Sequence, residues 1–237
     1  MKLSVSFILE TLKNATGAIP ITLKLTFIPF LIAAPIAFFL ALAQVRKVRF
    51  WAKFSAGYVS LIRGTPAVVL VLLLYNTLPV KLASLFKTIG SDFNVYSSIQ
   101  PIAYAYIIFT ITAIAPLIEI LRSAISSVNR GQLEAAYTIG MSTPQSYCRI
   151  ILPQALVAAM PNLGNLIVAL VKNTSLAFMM TVKDITQTAK LGAALNYKYT
   201  EAYIVILILY VIICLILEQI CKIIERRLSR YKGFQTA

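Results

Sequence analysis

Five stretches of this chain, at 19–43, 59–78, 101–121, 155–171 and 202–221, are apolar over most of their length. A helix needs about 20 such residues to cross about 30 Å of hydrocarbon, where no water is present to satisfy a backbone group. Only 13% of the residues are charged and 59% are hydrophobic, against about 25% charged in an ordinary water-soluble domain. The pattern predicts an all-α integral membrane protein, a single transmembrane domain over 1–237 with five transmembrane helices. Two of the spans are interrupted. Arg63 falls in the second, and the fourth carries Pro161, Asn162, Gly164 and Asn165. Pro29 and Pro35 are expected to kink the first.

The net charge is +14, yet the basic residues lie at the edges of the apolar stretches rather than on one face. That placement argues against nucleic acid as a partner. Five spans put the two ends of a chain on opposite sides, so the Lys and Arg content of short loops sets the orientation. The loops at 44–53 and 122–149 and the tail at 222–232 are the denser set. They are therefore read as cytoplasmic, with the N-terminus outside and the C-terminus inside. No cleavable leader is expected, because Glu10, Lys13 and Asn14 break the first apolar stretch. Residues 3–12 read instead as a short amphipathic helix on the outer interface, with Leu3, Phe7, Ile8 and Leu12 as its apolar side. A turn is expected at Gly90-Ser91-Asp92 and a short outer helix near 184–191. Cys148, Cys214 and Cys221 have neither disulfide nor metal spacing. The chain has no histidine and no nucleotide-binding glycine loop, so catalytic residues, a metal site and a cofactor of its own are not expected.

Between the third and fourth stretches, residues 126–154 are polar and suited to helix, and such a segment must face water or a soluble partner. Ser142-Thr143-Pro144 looks like a helix start, and Gly140 suits a sharp change of direction. A short helix, a turn and a second helix would make a knob beyond the bilayer. Within it, Glu134-Ala135-Ala136 is followed after three residues by Gly140, and after nine more by Ile150-x-Leu152-Pro153. This spacing resembles the Glu-Ala-Ala loop of ATP-binding-cassette (ABC) importer permeases. The flanking sequence resembles their polar amino acid subgroup, in Arg63-Gly64-Thr65-Pro66, Gly131-Gln132, Pro153-Gln154-Ala155-Leu156 and Lys172-Asn173-Thr174-Ser175-Leu176. The likeness runs from about Thr22 to Arg227, and its overall pattern is similar to that of cystine permeases.

The resemblance implies a type I importer (MetI-like) transmembrane domain in a bacterial inner membrane. It implies a coupling helix in which Glu134, Ala135, Ala136 and Gly140 contact a separate ATPase, while Ile150, Leu152 and Pro153 link that contact to the fourth span. ABC ATPase subunits carrying ATP and Mg²⁺, a second permease copy or paralogue, an extracytoplasmic solute-binding protein and a polar amino acid are the implied partners, with lipid around them.

Two further constellations follow from the residues themselves. Asn162, Asn165, Ala169 and Asn173 recur at spacings of three and four and so share one helix face. Amides facing lipid are costly, so this face should line a substrate path or bond to neighbouring helices. If the second span begins near Phe54, Arg63 lies roughly 14 Å inside it. There it would pair with Glu119 or cap carbonyls freed at Gly64–Pro66; alternatively, the stretch before it lies along the interface and Arg63 reaches water. Rival functions are an ATP-independent secondary transporter or channel, which would use an intramembrane carboxylate such as Glu119 or Glu218, and a non-transporting scaffold.

Overall fold

The structure, a computed structural model, describes residues 3–89 and 94–229, and its elements are all helical. The turn expected at Gly90-Ser91-Asp92 and the end of the basic tail lie outside the described residues. Helix α1 (Val5–Thr16) is the amphipathic N-terminal helix and buries Phe7, Thr11 and Ala15. After it come α2 (Ile19–Val45), α3 (Arg49–Gly64), α4 (Ala67–Thr88), the single turn α5 (Val95–Ser98) and α6 (Pro101–Ser126). The short α7 (Arg130–Thr138) leads to α8 (Thr143–Ser146), which runs through a π-turn at Tyr147–Ile151 into α9 (Leu152–Asn173). A 3₁₀ segment (Thr174–Met180), α10 (Ile185–Asn196) and α11 (Tyr199–Ser229) complete the described chain. Five elements are long and apolar enough to cross a membrane: Ile19–Val45, Ala67–Thr88, Pro101–Ser126, Thr143–Met180 and Tyr199–Ser229.

The second span expected at 59–78 is divided between two helices. Proline at 66 sterically disfavours the α conformation for the residue before it and offers no N–H of its own. Thr65 is accordingly extended at φ −105°, and Ala67 begins a new helix. The spanning helix is α4, and 59–64 belong to α3. Helix α3 sets its one buried side chain, Ser55, against Gln44, whose amide donates to the Ser55 hydroxyl at 2.8 Å. Phe50 and Phe54 are exposed and flank Trp51 with edge-on ring contacts.

One core lies between α2 and α6, which share the most extensive helix contact, with α9 closing one side. Lipid tails are as apolar as leucine, so helices in a bilayer gain little from hydrophobic association and depend on close packing. Ala33, Ala37 and Ala41, one turn apart on α2, are fully buried beside Ala113, Leu117 and Ile118 of α6. Their small side chains bring the two backbones together. A second core joins α1 and α10 to the first half of α11 through Phe7, Ala189, Ala193, Val205 and Leu209.

Four helix ends turn through one left-handed residue: Lys47, Gly140, Thr181 and Tyr197, at φ 54°, 79°, 56° and 55°. In each, the next N–H reaches five residues back to an alanine carbonyl: Val48 to Ala43, Met141 to Ala136, Val182 to Ala177 and Lys198 to Ala193. This is the long bond of the Schellman motif, which satisfies carbonyls left over at a helix end. Asp184 then starts α10, accepting the Gln187 N–H at 2.8 Å and the Tyr210 hydroxyl at 3.2 Å. Its burial pushes the carboxyl above the ordinary carboxylate range, while those hydrogen bonds pull the other way.

Two stability predictions follow from this packing. Ala37→Leu should lower the melting midpoint of the detergent-solubilised protein, since overfilling a close contact costs about 1–3 kcal/mol; an unchanged midpoint would mean that α2 and α6 do not meet there. Thr181→Gly should raise it, because a left-handed β-branched residue costs roughly 1–2 kcal/mol that glycine does not.

Candidate functional site: the segment before α9 and the amide face of α9

Asn129 begins α7 by accepting the Gly131 N–H on its side chain at 2.9 Å. Ala136 is buried and Leu133 half-buried, and Leu133 packs against a cluster made by Ala124 and Ile125 of α6, Ile151 of the π-turn and Ala155 of α9. Ile150 and Leu152 lie beside the same cluster. One side of α7 is thus tied to the ends of two membrane-crossing elements. The other side is bare: Glu134, Ala135, Thr138 and Gly140 are exposed. Ile139, at 75% exposure, and Tyr137, at 44%, are apolar groups left open there. The sequence reading had missed both. Their signal in the sequence is an isoleucine directly before Gly140 and a tyrosine two residues earlier, in a segment otherwise polar.

Gly140 is the residue that ends α7. The Met141 N–H bonds to the Ala136 carbonyl at 3.1 Å and the Gly140 N–H to the Tyr137 carbonyl at 3.0 Å, the pair of bonds that requires a left-handed residue at this place. A Cβ built there meets no other atom within 4 Å, so backbone conformation alone explains the glycine. The chain then restarts at Ser142, whose N–H is accepted by the Gln145 side chain at 2.9 Å. The second helix of the segment does not end before the membrane, as a knob of two separate helices would require. It continues through the π-turn into α9. Pro153 cannot donate to a carbonyl four residues back, and at this point the Leu152 N–H bonds five residues back to Tyr147. Pro153 itself is exposed at the start of α9.

On α9 itself, Asn162, Asn165, Ala169 and Asn173 are all exposed, while Ala159, Leu166 and Leu170 on another side are buried. Gly164 meets α11 so closely that a Cβ there would stand 3.0 Å from the Cys221 Cβ. Among the described residues the three amides have no side-chain partner within the chain, so the helix–helix hydrogen bonds weighed from sequence are not formed inside one subunit. Arg63 and Glu119 do form an ion pair, with Arg63 at the end of α3 and 63% of its side chain exposed. The depth of roughly 14 Å, reckoned on a continuous span from Phe54, does not apply once α3 ends at Gly64.

A family model described as "Binding-protein-dependent transport system inner membrane component" matches residues 33–230. The L-cystine transport system permease protein TcyL of Bacillus subtilis (strain 168) is 32% identical over 91% of this chain and 87% of its own length. TcyB of the same organism, also an L-cystine transport system permease protein, is 36% identical over the same shares. Among solved structures, an amino acid ABC transporter crystallised with histidines superposes with a TM-score of 0.79 at 27% identity. That match covers 96% of this chain and 100% of the other.

The geometry at Gly140 makes a prediction about local order. Gly140→Val should cost roughly 1–2 kcal/mol at the turn, read as faster hydrogen exchange at the Met141 amide. Gly140→Asn should cost less, since asparagine tolerates this conformation. Equal exchange in both variants would show that the turn does not depend on residue 140.

Proposed function

Because this chain belongs to the family of inner membrane components of binding-protein-dependent transport systems, we propose that it is the permease subunit of an ATP-driven importer for a polar amino acid, with L-cystine as the first substrate to test. The observation that carries the reading is α7: exposed along one side, pinned on the other to α6 and α9, and turned by a glycine. Support for the substrate class comes from the names of the two Bacillus relatives and of the solved transporter.

In this mechanism the exposed side of α7, with Glu134, Ala135, Tyr137, Ile139 and Gly140, docks on a separate ATPase subunit that binds ATP and Mg²⁺. Closure of two such ATPases displaces α7. Leu133 packs against one apolar cluster with Ile125 and Ile151, so the displacement moves the ends of α6 and α9 together. Close-packed interiors pass on such shifts rather than absorb them. Two permease subunits, identical or paralogous, face each other and enclose the path. Asn162, Asn165 and Asn173 offer it donors and acceptors that suit both the carboxylate and the ammonium of an amino acid. A solute-binding protein delivers the substrate on the outer side, where the N-terminus lies; the C-terminus is cytoplasmic. The secondary-transport alternative needs a carboxylate free to carry a proton or ion. Both of its candidates are engaged, Glu119 by Arg63 and Glu218 by Lys222 at 2.6 Å.

Reconstitution with the partner ATPase and binding protein tests the reading. Gly140→Asp and Glu134→Ala should lower ATP-driven uptake about tenfold or more, the size of a lost coupling free energy. Substrate affinity of the binding protein should not change. Full uptake by Gly140→Asp, or uptake that follows the proton gradient without ATP, would refute it. Strong uptake of other amino acids without cystine would refute only the substrate.

A further inference from the structure

Beside α7 lies a cavity of about 560 Å³, bounded by the ends of α2 and α6, by α7 and by the π-turn. Its volume is in the range of ligand pockets, about 300–1,000 Å³. Lys47, Arg122 and Arg130 reach it from three different elements, and Glu134 is the one carboxylate on its wall. The ion pairs among the described residues are Arg63–Glu119 and Lys222–Glu218, so none of these three cations has a carboxylate partner. Arg46 lies over the ring of Tyr147, which also lines the cavity, at 5.9 Å. Between the cations the wall is mixed: Val45, Ile125 and Ile151 give it an apolar part, and Gln44, Ser126 and Asn129 a polar one.

We propose that this cavity binds the headgroup of an acidic phospholipid of the cytoplasmic leaflet. The shared chemistry is a phosphate anion held by Lys47, Arg122 and Arg130, and the apolar part of the wall favours a phosphate that carries a glycerol and acyl chains over a free, fully hydrated one. The position fits a lipid as well. The cavity opens where two membrane-crossing helices end, next to α3, whose exposed Phe50, Trp51 and Phe54 are of the type enriched at the membrane–water boundary. Basic pockets between spans on the cytoplasmic side are suited to anionic headgroups. A bound lipid would brace α7 next to its docking side, since Glu134 and Tyr137 border both. That consequence rests on the coupling reading above and the choice of leaflet on the orientation given with it; the binding of an acidic headgroup rests on neither.

Native mass spectrometry of the full-length chain, released from detergent with phosphatidylglycerol or phosphatidylcholine, tests the site without any ATPase. The wild-type chain should retain phosphatidylglycerol in preference. Each of Lys47→Gln, Arg122→Gln and Arg130→Gln should weaken that preference about fivefold, and the triple variant about a hundredfold. The double variant Arg226→Gln/Arg227→Gln, on α11 away from the cavity, should keep it, as should Lys47→Arg. Melting midpoints taken alongside separate loss of fold from loss of the site. Three results would overturn the proposal: a triple variant that melts lower but keeps its lipid preference, as expected if the cations only offset helix-end dipoles; a preference lost equally in the α11 variant; or displacement of the lipid by millimolar inorganic phosphate, which would assign the site to a soluble anion.

Discussion

Every backbone polar group that this chain carries into hydrocarbon must find its partner within the protein, and the shape of the molecule follows from that requirement. Long helices meet it unaided. At several breaks between the described helices, inside the spans and beyond them, the chain also supplies local solutions. At Lys47, Gly140, Thr181 and Tyr197 a left-handed residue folds the next N–H back onto an alanine carbonyl. At the α3–α4 break the Thr65 hydroxyl donates to the Leu61 carbonyl at 2.8 Å. At Asp184 a buried carboxylate serves a helix start and a tyrosine hydroxyl together. Alanine recurs at the receiving end of the turns because those positions are buried, with Ala43, Ala136, Ala177 and Ala193 all at or below 6% exposure.

With the backbone satisfied, side-chain packing decides how the helices meet, and here small residues outweigh large ones. The alanine stripe of α2 sets its distance from α6, and Gly164 sets that of α9 from α11. Large apolar side chains such as Leu31, Phe39 and Leu207 point outward and are exposed on the single chain. Such an inversion of the soluble-protein pattern is expected where the surroundings are themselves apolar. The outward amides of α9 break that pattern, which is why they call for a second subunit or a polar path rather than lipid.

Much of the architecture was legible from residue type and spacing. The apolar stretches marked the membrane elements because length against bilayer thickness is a coarse, robust signal. Gly140 and Ser142-Thr143-Pro144 marked the turn and restart between α7 and α8 because glycine and the Ser-x-Pro start are local signals. The other left-handed turns were hidden, since Lys47, Thr181 and Tyr197 are residues that rarely adopt that conformation and announce nothing in sequence. In the sequence the interruption of the second span is marked by Arg63, with a stretch along the interface as one alternative, while the break itself lies at Thr65–Pro66; hydropathy alone does not separate an amphipathic helix from the span that follows it. At the candidate site, the spacing located Glu134 and the α9 amides, but not Ile139 and Tyr137, whose exposure depends on which way α7 faces in three dimensions.

The π-turn at Tyr147–Ile151 carries a geometric consequence of its own. Each residue of an α-helix advances the azimuth by about 100°, and a five-residue bond inserts one residue more than the regular ladder would hold. The side of α8 that meets α7 and the side of α9 that bears Asn162 and Asn165 are therefore out of phase with a straight helix by about that angle. Tightening the turn to a regular ladder would swivel the amides around the axis of α9 while leaving α7 where it stands. The phase offset between what a motor would touch and what a solute would meet is thus stored in the wide turn at Tyr147–Ile151.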